Sequence, residues 1–255
     1  MTVFLTRTDS ASIQTRSTGA RTNRCPWIAC FGRSEHERMH LAELDDIRRR
    51  IASDGWSTLT LPNEIDLRVV VQLLRPAFTG QVGVERLSPK RSDQARPGTL
   101  SALYGLGPFP FHTERAHWVR PPRYIVFRSV GQPTDRPTTL LDSYQLASMV
   151  DLVRRLHDVP WRIAWDDISF ETHVLVPTSR AIWQIRYDQC CMTVCNLEHI
   201  DLQFQLSAAL GSMTALSHYW TPGVALVIDN WRVLHGRGAS ATSDYSRVLE
   251  RVVVP

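Results

Sequence analysis

Three side chains in this 255-residue chain have the types and spacing to hold a metal ion. His112 and Glu114 stand two positions apart in "FHTERAHW" (111–118), and His235 comes late, in "NWRVLHGRG" (230–238). On a β-strand, residues i and i+2 project from one face, so His112 and Glu114 could grip one ion side by side. On a helix, each residue turns the chain by about 100°, which would send the pair to nearly opposite sides. The prolines of "GPFPF" (107–111) disfavour a helix at this point. Two imidazoles and one carboxylate can cap one face of an octahedral ion and leave the opposite face open to other ligands.

The His-x-acid pair is weak evidence alone. With 9 histidines and 25 acids in 255 residues, chance supplies roughly one such match. The sequence has two, the second being His199 with Asp201, at the start of an expected helix where the geometry is wrong. The closing segment adds weight. "VALVIDNWRVLHGRGASATSDYSRVLERVVV" reads as a strand, a turn at Asp229-Asn230, His235, a polar loop and a last strand. On that strand Arg247, Leu249 and Arg251 share a face. Turned into a closed barrel, a guanidinium needs an anion, and a carboxylate offers it a bidentate partner.

The elements that must position these groups are legible in outline. Ser34 and Glu37 form a capping box, followed by a helix with Leu41, Leu44, Ile47 and Ile51 on one side and Gly55 as its stop. "WSTLTLP" reads as a strand and "EIDLRVVVQLLRPAF" as a second helix. Residues 80–110, rich in Pro, Ser, Gly and Arg, read as a long loop of the kind that often carries function. Strand-like runs follow: "RYIVFRSV", "TTLLD", "RIAWDDISFETHVLVP", "AIWQIRYDQCCMTV", "VALVIDN" and "YSRVLERVVV". Two helices interrupt them, "SYQLASMVDLVRRLH" capped by Ser143, and residues 200–218. Many strands with few helices between them imply a mainly β protein, an antiparallel barrel or jelly roll with flanking helices. Residues 1–33 read as a partly flexible N-terminal tail and 34–255 as a single domain.

Composition narrows the function classes. No stretch reaches 18 consecutive apolar residues, so no membrane span is expected. The net charge of +4 comes almost wholly from scattered arginines interleaved with acids, Lys90 being the one lysine, which argues against a nucleic-acid-binding stripe. Five cysteines without paired CxxC sets argue against a structural zinc site or a disulfide framework, and a reducing cytoplasm is expected.

The ordered set "FHTE", "LVIDNWRVLHGR" and "DYSRVLER" resembles the taurine dioxygenase / clavaminate synthase-like family of Fe(II)/2-oxoglutarate-dependent oxygenases, over roughly residues 80–255. The resemblance implies a double-stranded β-helix, a distorted jelly roll. It implies Fe(II) held by His112, Glu114 and His235, with 2-oxoglutarate as cosubstrate and O2 as oxidant. Arg247 would bind the distal carboxylate of 2-oxoglutarate, assisted by Thr139 in "RPTTLLD". Arg251 matches a position that often meets an acidic group on the substrate. "IRYDQCCM" would place Arg186 and Asp188 near the substrate, and Glu85 would meet a substrate amine. A Glu in place of the commoner Asp is similar to the clavaminate synthase and amino-acid hydroxylase side of the family. It implies oxygenation of a small metabolite such as an amino-acid derivative, hydroxylation ahead of desaturation or cyclisation. The chain is shorter than most members, which puts substrate-covering insertions in doubt. A carrier-tethered substrate and a homo-oligomer stay open. So do two other classes: a zinc hydrolase using the same three ligands, and a silent small-molecule-binding barrel.

Overall fold

The computed structural model describes residues 41–179, 182–240 and 246–254. The expected tail and the Ser34/Glu37 capping box lie outside them. The order of elements is α1 (Leu41–Asp54), β1 (Trp56–Thr60), α2 (Val69–Leu74), β2 (Glu85–Leu87), α3 (Leu100–Tyr104), β3 (Phe109–His112), β4 (Tyr124–Ser129), β5 (Thr138–Asp142), α4 (Val150–Asp158), β6 (Trp161–Trp165), β7 (Ile168–Thr172), β8 (Leu175–Val176), β9 (Gln184–Ile185), β10 (Met192–Val194), α5 (Ile200–Ser212), β11 (Leu216–His218), β12 (Val224–Asp229), β13 (Val233–Arg237) and β14 (Leu249–Val254).

Two antiparallel sheets dominate. One has the order β1-β12-β4-β14-β2, the other β11-β5-β13-β3. The strands alternate as a two-faced sheet requires. On β4, Ile125 and Phe127 join Leu140 of β5, Leu226 and Ile228 of β12 and Val233 of β13 in a core between the two sheets. Val126 points the other way, into a second core with Ile47 and Ile51 of α1 and Val70 and Val71 of α2. Full burial of each such side chain contributes about 1.5–3 kcal/mol. A third core lies on the far side of the smaller sheet. There Leu141 and Leu234 meet Leu152 and Leu156 of α4, Leu202 and Leu206 of α5, and Trp161 and Ile163 of β6. The result is a distorted jelly roll with helices on its outer faces, as the sequence implied.

Several local expectations change. The second helix shrinks to six residues, because Asp66 and Arg68 tie up the preceding turn and Pro76 forces Arg75 out of helical geometry. The run 162–177 is not one strand: β6 and β7 form a hairpin with Asp166-Asp167 as its turn and Asp166 at φ 48°. The long loop of 80–110 carries β2, a 3-10 turn at Ser92–Gln94, α3 and the start of β3. Ser143 does not cap a helix. Asp142 caps a 3-10 turn by accepting from the Tyr144 N–H, and Ser143 accepts from the Trp183 indole instead. The helix expected over 200–218 ends at Ser212, and β11 follows. No described helix is long and apolar enough to cross a membrane.

Candidate metal centre

His112 closes β3, and its Cα partner across the ladder is His235 on β13. The two imidazoles therefore face each other, with centroids 4.3 Å apart. Glu114 lies two residues past the strand end, so strand alternation alone does not aim it. Asn230, at the end of β12, does. Its Oδ1 accepts from the Glu114 N–H at 2.8 Å, and its Nδ2 donates to the Glu114 carbonyl at 3.1 Å and the Pro122 carbonyl at 2.9 Å. Asn230 is wholly buried, so these bonds form without competition from water. Thr113, between the two ligands, is pinned from the other side by backbone and hydroxyl bonds to Tyr187.

The outcome is a buried cluster in which one donor atom from each of His112, Glu114 and His235 lies within 4.8 Å of the others. No other group of three or more such side chains is found among the described residues. The tautomer suits a metal. His112 Nδ1 lies 3.0 Å from the Pro110 carbonyl, where it can only donate, leaving Nε2 bare. His235 Nε2 faces Glu114 Oε2 at 3.6 Å. Burial, helped by the neighbouring His112, pushes His235 down to about 4, which keeps its lone pair available at neutral pH. Burial alone would raise the Glu114 carboxyl, but Arg251 and the two imidazoles more than offset this and hold it well below the usual range. An ionised carboxylate beside a neutral His235 imidazole and the bare Nε2 of His112 fits a divalent ion.

The three groups line a cavity of about 400 Å³. At one end Thr138, Arg136, Arg237 and Arg247 converge. Arg247 Nη2 donates to Thr138 Oγ1 at 2.9 Å. Arg237 lies over the Phe109 ring and is pushed down to about 9 by burial and by Arg136 and Arg247. Among the described residues Arg136 and Arg237 donate to backbone carbonyls and form no ion pair, so this end of the cavity is a cationic pole. Asp188 and a stacked pair, His117 on Trp165 with centroids 4.7 Å apart, also line the cavity. Residues from the segment 88–101 also line it.

The other expected site residues separate. Thr139 lies on the outward face of β5, opposite Gly236, while Thr138 lines the cavity. Period-two alternation excludes both from one face, so Thr138 replaces Thr139 as the threonine beside Arg247. Arg247 precedes β14 rather than lying on it. Arg251 is on that strand, donating to Glu114 at 2.7 Å and also to Glu85, its Cα partner on β2. Glu85 is thus committed to Arg251 and, at 2.6 Å, to Arg115. Asp188 reaches the cavity, but Arg186 does not line it. Its Nη2 donates to the Val119 carbonyl at 2.7 Å, it stacks over Phe170, and it makes no ion pair with Asp188. Strand β9 ends at Ile185, so the two side chains never share a strand face. Sequence reasoning passed over Asn230, Arg115, Arg136 and Arg237. The histidine-glycine-arginine run held the signal for Arg237, which falls two positions from His235 on the same face of β13.

No protein-family model matches the chain, and no curated protein does either. Solved structures do. An asparagine oxygenase in complex with Fe(II), 2S,3S-3-hydroxyasparagine and succinate superposes with a TM-score of 0.62 at 17% identity, over 84% of this chain and 78% of that one. The non-heme iron oxygenase OrfP, in complex with Fe and alpha-ketoglutaric acid, gives 0.60 at 20% identity over 84% and 80%. The PvcB protein from Pseudomonas aeruginosa gives 0.60 at 16% identity over 83% and 79%. At these identities the likeness establishes a shared fold.

Proposed function

We propose that this chain is a non-haem Fe(II)- and 2-oxoglutarate-dependent oxygenase that hydroxylates a small molecule. One observation carries the reading: a buried His112–Glu114–His235 cluster shares its cavity with the Arg247–Thr138 pole. His112, Glu114 and His235 would hold the iron, and Arg247 with Thr138 would take the distal carboxylate of the cosubstrate. Iron and 2-oxoglutarate would supply the oxidation of an unactivated C–H bond by O2. The chain's own contribution is positioning and water exclusion. The His117–Trp165 stack and Asp188 form the wall against which a substrate is oriented, with Asp188 the acid available to a substrate amine. An amino acid or amino-acid derivative suits that wall. The asparagine oxygenase holding a hydroxyasparagine has the same fold, which supports that substrate class. The free thiols at Cys190, Cys191 and Cys195 accord with a reducing cytoplasm. A zinc hydrolase using the same ligands would leave the cationic pole without a task.

The test is anaerobic reconstitution with Fe(II), followed by 2-oxoglutarate, O2 and a library of amino acids and their derivatives. Succinate release rising with one class of substrate, and lost in Glu114→Ala, is the expected result. Failure of the Fe(II)-loaded protein to bind or decarboxylate 2-oxoglutarate would overturn it.

A further inference from the structure

Around Glu114 the structure gathers more charge than ligation alone needs. Arg251 and Arg115 both reach it, Arg251 Nη1 at 2.7 Å and Arg115 Nε at 3.8 Å. Two guanidiniums beside one metal-binding carboxylate would, unbalanced, leave a net positive potential where a divalent ion must sit. Glu85 faces both arginines from the other side, bonded to Arg115 at 2.6 Å and to Arg251. With Glu85 and Glu114 each −1, and Arg115 and Arg251 each +1, the four groups sum to zero. Removing the charge of Glu85 leaves +1 against the ion site. The arrangement is built into the backbone. Glu85 and Arg251 are direct cross-strand partners on β2 and β14, on the face that looks towards Glu114, and Arg115 is set by a left-handed residue conformation (φ 56°) immediately after the ligand.

We propose that Glu85 is a positioning residue of the metal centre. It holds Arg251 and Arg115 in place and balances their positive charge, so that the two guanidiniums do not leave a net positive potential at the ion site. This rests on the metal site of the reading above, not on its oxygen chemistry. Loss of an outer partner of a ligand typically weakens metal binding by about 10–100-fold, and the signs here are specific. Glu85→Gln keeps size and hydrogen bonding but drops one negative charge, and should weaken Co(II) binding on the order of tenfold. Arg251→Gln removes a positive charge and should tighten it. The double variant Glu85→Gln/Arg251→Gln is neutral again (Glu114 −1, Arg115 +1) and should return close to the parent.

Co(II) affinity, measured by calorimetric titration of the full chain alongside melting temperature, reads this without turnover. A merely structural role at the β2–β14 edge would lower the melting temperature of all three variants. It would not move the affinities in opposite directions or restore the double variant. Unchanged Co(II) affinity in Glu85→Gln, or weakening in all three, overturns this proposal alone. An unsubstituted protein that binds no Co(II) overturns it together with the metal reading.

Discussion

Thr138 and Thr139 have the same chemistry and sit on opposite faces of one strand. Thr138 Oγ1 accepts from the Arg247 guanidinium and, at 3.2 Å, from the Trp220 indole, whereas Thr139 packs over Gly236. Thr138→Val keeps the shape but removes the acceptor from both buried donors. It should cost about 1–3 kcal/mol in urea denaturation and weaken 2-oxoglutarate binding, as read by calorimetry. Thr139→Val should change stability by under about 1 kcal/mol and leave cosubstrate binding alone. Equal effects of the two substitutions would place the pole wrongly. At this scale the sequence marked the threonine pair but not which member mattered, because a one-residue shift on a strand reverses every side chain. It marked Glu85 as well. Only the fold disclosed that Glu85 is taken up by two arginines, one of them 166 positions away.

Turns and strand ends do most of the aiming. The Asp229-Asn230 turn was legible as a turn from its residue types, yet nothing local announces that Asn230 clamps Glu114 across 116 positions. Asn230→Ala would strand a buried N–H and two carbonyls, so a loss of about 3 kcal/mol or more is expected in denaturant titration. Co(II) affinity should fall with it, since Glu114 would no longer be held. Gly55 shows the same economy at the end of α1. With φ at 82°, an added Cβ would lie 2.4 Å from Val233 Cγ2 on the strand that carries His235. Strong periodic elements, β4, β12 and α1, were readable because their apolar spacing repeats. The three-residue β2 and β11 and the broken helix at 143–158 were not, since tertiary pairing decides elements too short to carry a period.

Across the whole molecule, the proposed ion joins the end of β3 to β13, in the smaller of two sheets whose shared core buries Phe127, Leu140 and Val233. A ligand that binds only the folded chain stabilises it by mass action, about 4 kcal/mol when present at a thousand times its Kd. For a domain of this size, each kcal/mol moves the melting temperature by about 2–4 °C. Stripping the metal with a chelator should therefore lower the melting temperature by roughly 10 °C in differential scanning calorimetry, and Fe(II) or Co(II) should restore it. A melting temperature indifferent to chelation would mean that the cluster holds no ion in the folded protein.

The sequence by itself marked His112, Glu114 and His235 as a candidate donor set, a mainly β chain and Arg251 on a closing strand, while the jelly roll followed from its resemblance to a known family. Residue type and short-range period are local properties. The tertiary structure decided which threonine meets Arg247, that Asn230 aims Glu114, that Arg186 leaves the cavity while Asp188 enters it, and that Glu85 answers Arg251. Each of these depends on strand register and on contacts between segments far apart in the chain, and no local spacing encodes where two such segments meet.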